Sequence, residues 1–471
     1  MKGLFSRQHA RLLAGALVVL GMFCAFGLSQ GQKTMLANLP PYEQSAERDS
    51  LSIAAQATED MRTLKGDMHL TTTNRTGGNL TELVLRLYAN GVQEKSMVVS
   101  GVTIDGKEAA FELDADDSSV LRVPYALAGG DTVDIALHFA LTIPRGESEI
   151  ARTDDSALLI GALPMLAMWE NGAWRTDAYD ELAETSYAQA TDIQMALTVP
   201  EKVKAAFGGA WIDERSNGDG TKTLTMQIEG ARDVSLAMRT DGSMRQAMSG
   251  DVLVTVLAEN SRTAARLLEA ACKALEAVEG VGLAYPFPSL TVVQAETGHA
   301  DGTVGTALLA VDGAQKGDAL LQQMTRLCAR QIFGVQVEND PWNAPWLSRT
   351  LSSCVELLAY RSREGETAYE KRFYSEIEVA MRLTRPYGVT VGASTEHFGG
   401  DSEMTQVLRD QGAASLMGID TAVGGEAFVH ALQIYVNENA GGTGSLEKLE
   451  SALDQATGSR WDGYLSDMLA F

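Results

Sequence analysis

Four residues have the spacing of a catalytic metal site, but their side chains have different chemistry. The four positions are occupied by Arg326, Leu327, Arg330 and, after eighteen intervening residues, Arg349. Zinc sites carried on helices use two histidines four residues apart, a glutamate directly after the first, and a third ligand further along the chain. Zinc requires ligands with a free lone pair, and a guanidinium offers none. The residue types therefore exclude zinc coordination by these side chains.

The spacing of the arginines predicts that they lie close together. A helix places Arg326 and Arg330, four residues apart, on one face, and Arg349 is expected at the start of the next helix, directed toward the same point. Converging guanidiniums repel one another unless acids or an anion neutralise them. Two alternatives stay open. The arginines either extend into solvent and pair with local acids, such as Glu338 and Asp340 between the two helices, or they line an anion-binding pocket.

No other part of the sequence supplies the missing chemistry. Leu327 cannot act as a general base, because an alkyl side chain neither polarises water nor carries a proton, and we predict that it packs in the core. No pair among the six histidines has metal-ligand spacing. Phosphate-binding loops, dinucleotide fingerprints and nucleophile elbows are also absent from the sequence. We therefore expect no cofactor.

Charge and the amino-terminal pattern indicate the setting in which the chain works. Its 471 residues carry a net charge of −24, which disfavours nucleic acid as a partner. Residues 1–32 contain three basic residues, no acid and an apolar run at 12–28, a pattern typical of a signal peptide or a membrane anchor. Because the basic flank precedes the apolar run, the remainder is predicted to lie outside the membrane, anchored or secreted after cleavage.

The remaining chain divides into two parts of different character. Residues 33–247 alternate apolar and polar side chains in short runs separated by Gly, Asn and Asp, which predicts an antiparallel β-sandwich or saddle. Residues 248–471 begin with strands at 251–257 and 290–293 and then become mainly helical. The predicted helices span residues 260–278, 315–333, 346–361, 367–384, 403–418, 424–438, 444–456 and 461–470.

Several segments resemble one peptidase family in residue type and spacing. They are Asn79–Asn90, Tyr285–Val293, Gln331–Gly334 and Val337–Leu347. In these segments the chain resembles the gluzincin aminopeptidases, the membrane alanyl aminopeptidase family of zinc metallopeptidases. The resemblance spans most of residues 42–471. It implies an α+β architecture in which a β-sandwich or saddle domain precedes a thermolysin-like, mainly helical peptidase domain.

The resemblance also assigns the family's site positions, and each is degenerate here. The two ligand histidines fall on Arg326 and Arg330, and the ligand glutamate falls on Arg349. The general-base glutamate falls on Leu327. The glutamate that binds the substrate amine falls on Val304, and the tyrosine that stabilises the tetrahedral intermediate falls near Arg409. Zinc is expected from the family, but its ligands are replaced.

These observations predict a catalytically inactive pseudopeptidase. It would bind a peptide or small anion in the interdomain cleft through Arg326, Arg330, Arg349 and Arg409, or act as a scaffold for a protein partner. One alternative is an active metalloaminopeptidase with a non-standard site. Another is a purely structural assembly domain.

Overall fold

The structure, a computed structural model, describes residues 48–185, 187–378, 388–461 and 463–470. The predicted leader at 12–28 and residues 379–384 of one predicted helix lie outside these ranges. Across the described ranges no helix combines the length and the apolar character that a bilayer crossing requires.

The first half of the described chain is built from short strands joined by tight turns, with one short helix, α1, at Tyr88–Val92. The strands are β1 Asp49–Ala57, β2 Thr63–Thr73, β3 Leu80–Arg86, β4 Met97–Ile104, β5 Lys107–Glu108, β6 Glu112–Leu113, β7 Val120–Leu127, β8 Thr132–Thr142, β9 Ile150–Arg152, β10 Ser156–Ile160, β11 Met165–Leu166, β12 Trp169–Glu170, β13 Ala173–Trp174, β14 Thr191–Pro200, β15 Lys204–Phe207, β16 Ala210–Ser216, β17 Thr221–Ala231 and β18 Ser235–Arg239.

The main sheet of this half has eight strands in the order β16-β17-β14-β1-β2-β8-β4-β5. Strict alternation gives β8 one buried and one more exposed face, as expected for a sheet that covers a core on one side. Strand β14, between β1 and β17, is buried along nearly its whole length. The β1–β14 pair is parallel, so this sheet is mixed. The same half also contains two four-stranded sheets, β15-β18-β10-β9 and β11-β3-β7-β6.

The second half combines one sheet with a set of helices. Its strands are β19 Ser243–Ser249, β20 Val252–Ala258, β21 Ser289–Gln294, β22 Thr303–Gly305 and β23 Leu308–Val311. Its helices are α2 Ser261–Val281, α3 Gly317–Arg330, α4 Trp346–Glu364, α5 Glu366–Arg372, α6 Asp401–Thr405, α7 Ala413–Val423, α8 Gly425–Asn439, α9 Leu446–Thr457 and α10 Tyr464–Leu469. Wider π-helical turns occupy Gln331–Gln336, Phe373–Glu378 and Gln406–Gly412, and a 3₁₀ turn occupies Thr395–His397.

The five-stranded sheet, in the order β19-β20-β21-β23-β22, forms the base of this half. Strands β20 and β21 run parallel, and α2 is the crossover between them, as parallel pairing requires. Asn260 caps α2 by accepting hydrogen bonds from the amides of Arg262 and Thr263. The strand that contains residue 247, β19, pairs with β20 and so belongs to this sheet.

This arrangement confirms the predicted α+β class, with a β-rich part followed by a mainly helical part. Each half has its own large apolar core. A buried arginine, Arg232, joins the halves. Its guanidinium donates to the carbonyls of Val335, Ala188 and Gly442 at 3.0–3.1 Å and lies 2.9 Å from a Glu338 carboxylate oxygen.

Candidate functional site

Helix α3 carries Arg326 and Arg330, and its apolar residues determine how the helix packs. Leu320, Met324 and Leu327 recur at helical spacing and are buried in the core of the second half. The prediction that Leu327 packs in the core is confirmed, since it is 0% exposed. Arg326 and Arg330 are also buried, at 8% and 3% exposure. These two arginines therefore do not extend into solvent, and that part of the first alternative is wrong for them.

Arg326 is neutralised mainly by Asp301, which lies in the loop before β22. The Nε of Arg326 donates to Asp301 Oδ2 at 3.0 Å, and Nη2 donates to the other oxygen. A second acid, Glu356 on α4, lies 3.8 Å from Nη1. Burial raises the pKa of Asp301, but Arg326, Arg409 and Arg349 lower it below its ordinary value. Asp301 is therefore held as a carboxylate.

Arg330 is paired across the boundary between the two halves. Its Nη2 donates to the carboxylate of Glu184, in the segment between β13 and β14 of the first half. Its Nη1 lies 3.5 Å from the carbonyl oxygen of Gly302. Its Nε is buried and has no hydrogen-bond partner in the described chain. Burial and the positive charge of Arg349 lower the pKa of Arg330.

Arg349, in the first turn of α4, is the most weakly neutralised of the three arginines at the predicted ligand positions. Its side chain is 11% exposed. Its Nη2 donates to the Leu182 carbonyl at 3.2 Å, and its Nη1 lies 3.9 Å from Asp401. Asp401 has closer partners, His299 Nδ1 and the Ala300 amide, each at 3.0 Å. Burial raises the pKa of Asp401, but these hydrogen bonds and Arg349 lower it to about 2.

The remaining two predicted site residues differ in position. Arg409 lies at the edge of the cluster, with its side chain 39% exposed and its Nε 2.8 Å from Asp410. Val304 is a core residue on β22 at 1% exposure. The structure thus gathers Arg326, Arg330, Arg349 and Arg409 around one small cavity, while Leu327 and Val304 pack in the core.

Sequence reasoning did not identify the acids that neutralise the arginines. The two acids between α3 and α4 that were expected as partners, Glu338 and Asp340, pair instead with Arg232 and Arg175. The observed partners come from distant segments: Asp301, Glu184, Asp401 and Glu356. Asp301 lies in a glycine-rich loop that the sequence makes visible, but Glu184 and Asp401 have no local motif.

Two cavities adjoin the cluster. The inner one has about 10 Å³ available to the centre of a water-sized sphere. Its lining residues are Asp301, Arg326, Arg330, Arg349, Ser352, Ser353, Thr405 and Arg409. The outer one is larger, about 280 Å³, and shares Asp301, Arg326, Ser353 and Arg409 with the inner cavity. Three glutamines, Gln315, Gln322 and Gln323, give the outer cavity a polar wall.

Comparison with solved structures identifies the fold. The crystal structure of the M1 zinc metallopeptidase from Deinococcus radiodurans matches with a TM-score of 0.68 and 18% identity over 90% of this chain and 93% of that chain. A mutant of that enzyme bound to a Tyr-Ser-Ala substrate matches with a TM-score of 0.66 and 19% identity over 90% and 92% of the two chains. For a two-domain M1 zinc metallopeptidase mutant bound to L-arginine, the TM-score is 0.66 and the identity 18%, again over 90% and 92%.

The chain has the M1 zinc metallopeptidase fold. This confirms the predicted resemblance at the level of architecture. No protein-family model and no curated protein matches the sequence.

The M1 fold implies a zinc ion, and the residues present do not fit one. Guanidiniums occupy the predicted ligand positions on α3 and α4, and they offer donors where zinc needs lone pairs. The nearby carboxylates of Asp301, Glu184 and Asp401 are engaged by arginine, histidine or backbone amide groups. Within the described ranges no group of three His, Cys, Asp or Glu residues is arranged to hold a metal ion.

Proposed function

We propose that this chain is a pseudopeptidase, a non-catalytic scaffold or binding protein in which an arginine–carboxylate cluster replaces the metal centre of the M1 fold. The observation that carries the proposal is the burial of Arg326 and Arg330 on one face of α3, each bonded to a carboxylate from another segment. Arg326 and Arg330 stand at the two predicted ligand positions of α3, so in this proposal their ion pairs take the place of a metal and its water.

The charges of the cluster support a structural role for it. A buried ion pair requires close geometry, because burial removes both charges from water. Arg326 and Asp301 provide this through two parallel contacts. The Arg330–Glu184 contact crosses between the two halves. The cluster therefore holds α3 against the first half, as a metal centre would hold its ligands.

The same cluster is poorly suited to hydrolysis. A general base must accept a proton from water, and the corresponding position holds Leu327, which is buried in the core. A guanidinium paired with a carboxylate keeps its proton and cannot take that role. Arg326, Arg330 and Arg349 can hold anions, but they neither activate water nor accept its proton.

The decisive experiment measures metal and turnover on the same preparation of the full chain. After dialysis against zinc buffer, we expect inductively coupled plasma mass spectrometry to find less than about a tenth of a zinc per chain, by the chemistry of the donors. We also expect no chelator-sensitive hydrolysis of a panel of aminoacyl-methylcoumarin substrates. Stoichiometric zinc, together with activity that follows the protein through gel filtration and disappears with chelator, would overturn the proposal.

A second candidate function, peptide binding, is favoured by the outer cavity. Gln323, which lines that cavity, is 3% exposed, and its Oε1 has no hydrogen-bond partner in the described chain. A buried acceptor without a donor is costly, so a ligand with an N–H group would satisfy it. The amide groups of a short peptide provide such donors.

Calorimetry with a panel of short peptides tests this candidate. We expect binding that Gln323→Leu weakens at least about tenfold, since the substitution removes the acceptor. The control variant is Lys273→Ala, which changes an exposed side chain of α2 that does not line the cavity. Equal binding by both variants, or no binding by the wild type, would remove this candidate.

The location of the protein is part of the proposal. The apolar run at 12–28, after a basic flank, supports a membrane-anchored or exported protein with the two halves outside the membrane. Fractionation of the full chain, with a variant lacking residues 1–32 as the control, tests this. Recovery of the full chain in the cytoplasmic fraction would contradict the proposed location.

A further inference from the structure

Two hydrogen-bond donors at the inner cavity have no partners. The Nε of Arg330 and the Oγ1 of Thr405 are buried and have no hydrogen-bond partner in the described chain. The residues are 3% and 8% exposed, and both line this cavity. Buried polar groups are almost always satisfied, so each of these two atoms calls for an acceptor that the described chain does not supply.

The charge of the cavity wall favours an anion over water. Four arginines line the cavity, and the carboxylate among its lining residues, Asp301, is bonded through both oxygens to Arg326. The hydroxyls of Ser352 and Ser353 donate to the backbone carbonyls of Ser348 and Arg349. The closest Asp401 oxygen lies 3.9 Å from Arg349, so this guanidinium carries the least compensated charge at the predicted ligand positions.

The size of the cavity limits which anion fits. Its volume of about 10 Å³ for the centre of a water-sized sphere is close to the minimum for a single water molecule. A carboxylate, nitrate or phosphate needs room for three or more heavy atoms, which this space does not provide. A halide ion has a single centre but is larger than water, so the surrounding side chains must move slightly outward to admit it. The small size therefore excludes polyatomic anions from the inner cavity, whereas the outer cavity of about 280 Å³ has room for them.

We propose that a single halide ion, of the chloride class, binds between Arg330, Arg349 and Thr405. This inference rests on the proposed function, because it requires that the cluster holds no metal. The ion would accept from the Arg330 Nε and the Thr405 hydroxyl and would offset the charge of Arg349. It would occupy the centre of the arginine cluster as a structural counter-ion.

The test is a chloride titration of the full chain followed by ³⁵Cl NMR line broadening, with sodium gluconate holding the ionic strength constant. Thr405→Val removes the hydroxyl with little change of shape. Ser96→Ala is the matched control, because the Ser96 hydroxyl is also buried and unpaired but lies in the first half. We expect saturable broadening in the wild type and in Ser96→Ala, and about tenfold weaker binding or worse in Thr405→Val.

Each outcome decides the question. Equal broadening in all three proteins places the chloride elsewhere, and no broadening in the wild type means that water fills the cavity; either result overturns the proposal. Acetate competing as well as bromide would overturn the size argument. A crystal soaked in bromide provides a second measurement, with an anomalous peak expected beside Thr405. If the protein binds neither halide nor zinc, the halide site is refuted and the proposed function stands. Stoichiometric zinc would refute both proposals.

Discussion

Glu184→Gln should destabilise the protein far more than its single contact suggests. The substitution leaves Arg330 buried at 3% exposure beside Arg349, with the Gly302 carbonyl at 3.5 Å as a remaining contact. Removing one partner of a buried ion pair costs about 3–5 kcal/mol. Arg409→Gln, at the exposed edge of the cluster, should cost about 0–1 kcal/mol. The difference, at least about 2 kcal/mol, corresponds to at least about a thirtyfold change in the unfolding equilibrium.

Urea denaturation followed by tryptophan fluorescence measures both variants, and an unchanged slope shows that the same surface unfolds. The single variants Glu184→Leu and Arg330→Met and the double variant that combines them form a double-mutant cycle. Replacing both charges by apolar groups should recover most of the loss, because a buried pair is close to neutral against apolar packing. The reasoning is refuted if Glu184→Gln lowers the free energy of unfolding no more than Arg409→Gln does. It is also refuted if the double variant is as unstable as the sum of its two single variants.

Three further predictions concern other buried groups. Leu327→Glu should cost about 3 kcal/mol or more, because it places an unpaired carboxyl in the core; thermal denaturation measures it, and a neutral effect would contradict the packing. Burial raises the pKa of Glu149 to about 8 from 4.5, so stability should fall as pH rises between these values, and Glu149→Gln should flatten that slope. Native-state maleimide labelling mapped by mass spectrometry should modify the half-buried Cys272 well before the buried Cys328 and Cys354.

The fold was largely predictable because its signals are local. Alternation within residues 33–247 indicated a β-rich part, and the predicted helices at 260–278, 315–333 and 346–361 overlap α2, α3 and α4. Burial of one face imposes such a period on the sequence. The parallel β1–β14 pair was not predictable, because strand pairing across more than a hundred residues leaves no local pattern.

The arginine positions were predictable, but their environment was not. Spacing placed Arg326 and Arg330 on one face, as observed. Their partners Asp301 and Glu184 come from separate segments of the chain, so tertiary packing determines the pairing. Position between the two helices pointed instead to Glu338 and Asp340, which pair with Arg232 and Arg175.

Arg232 has a consequence for handling the protein in pieces. Its guanidinium contacts three backbone carbonyls, two of them, Val335 and Gly442, in the second half, and its side chain is 1% exposed. A cut near residue 247 would leave Arg232 in one fragment without its partners from the second half. It would leave Glu338 in the other fragment without its counter-charge. Expression of either fragment alone should therefore yield insoluble material, and crystallisation or library screening should use both halves in one polypeptide.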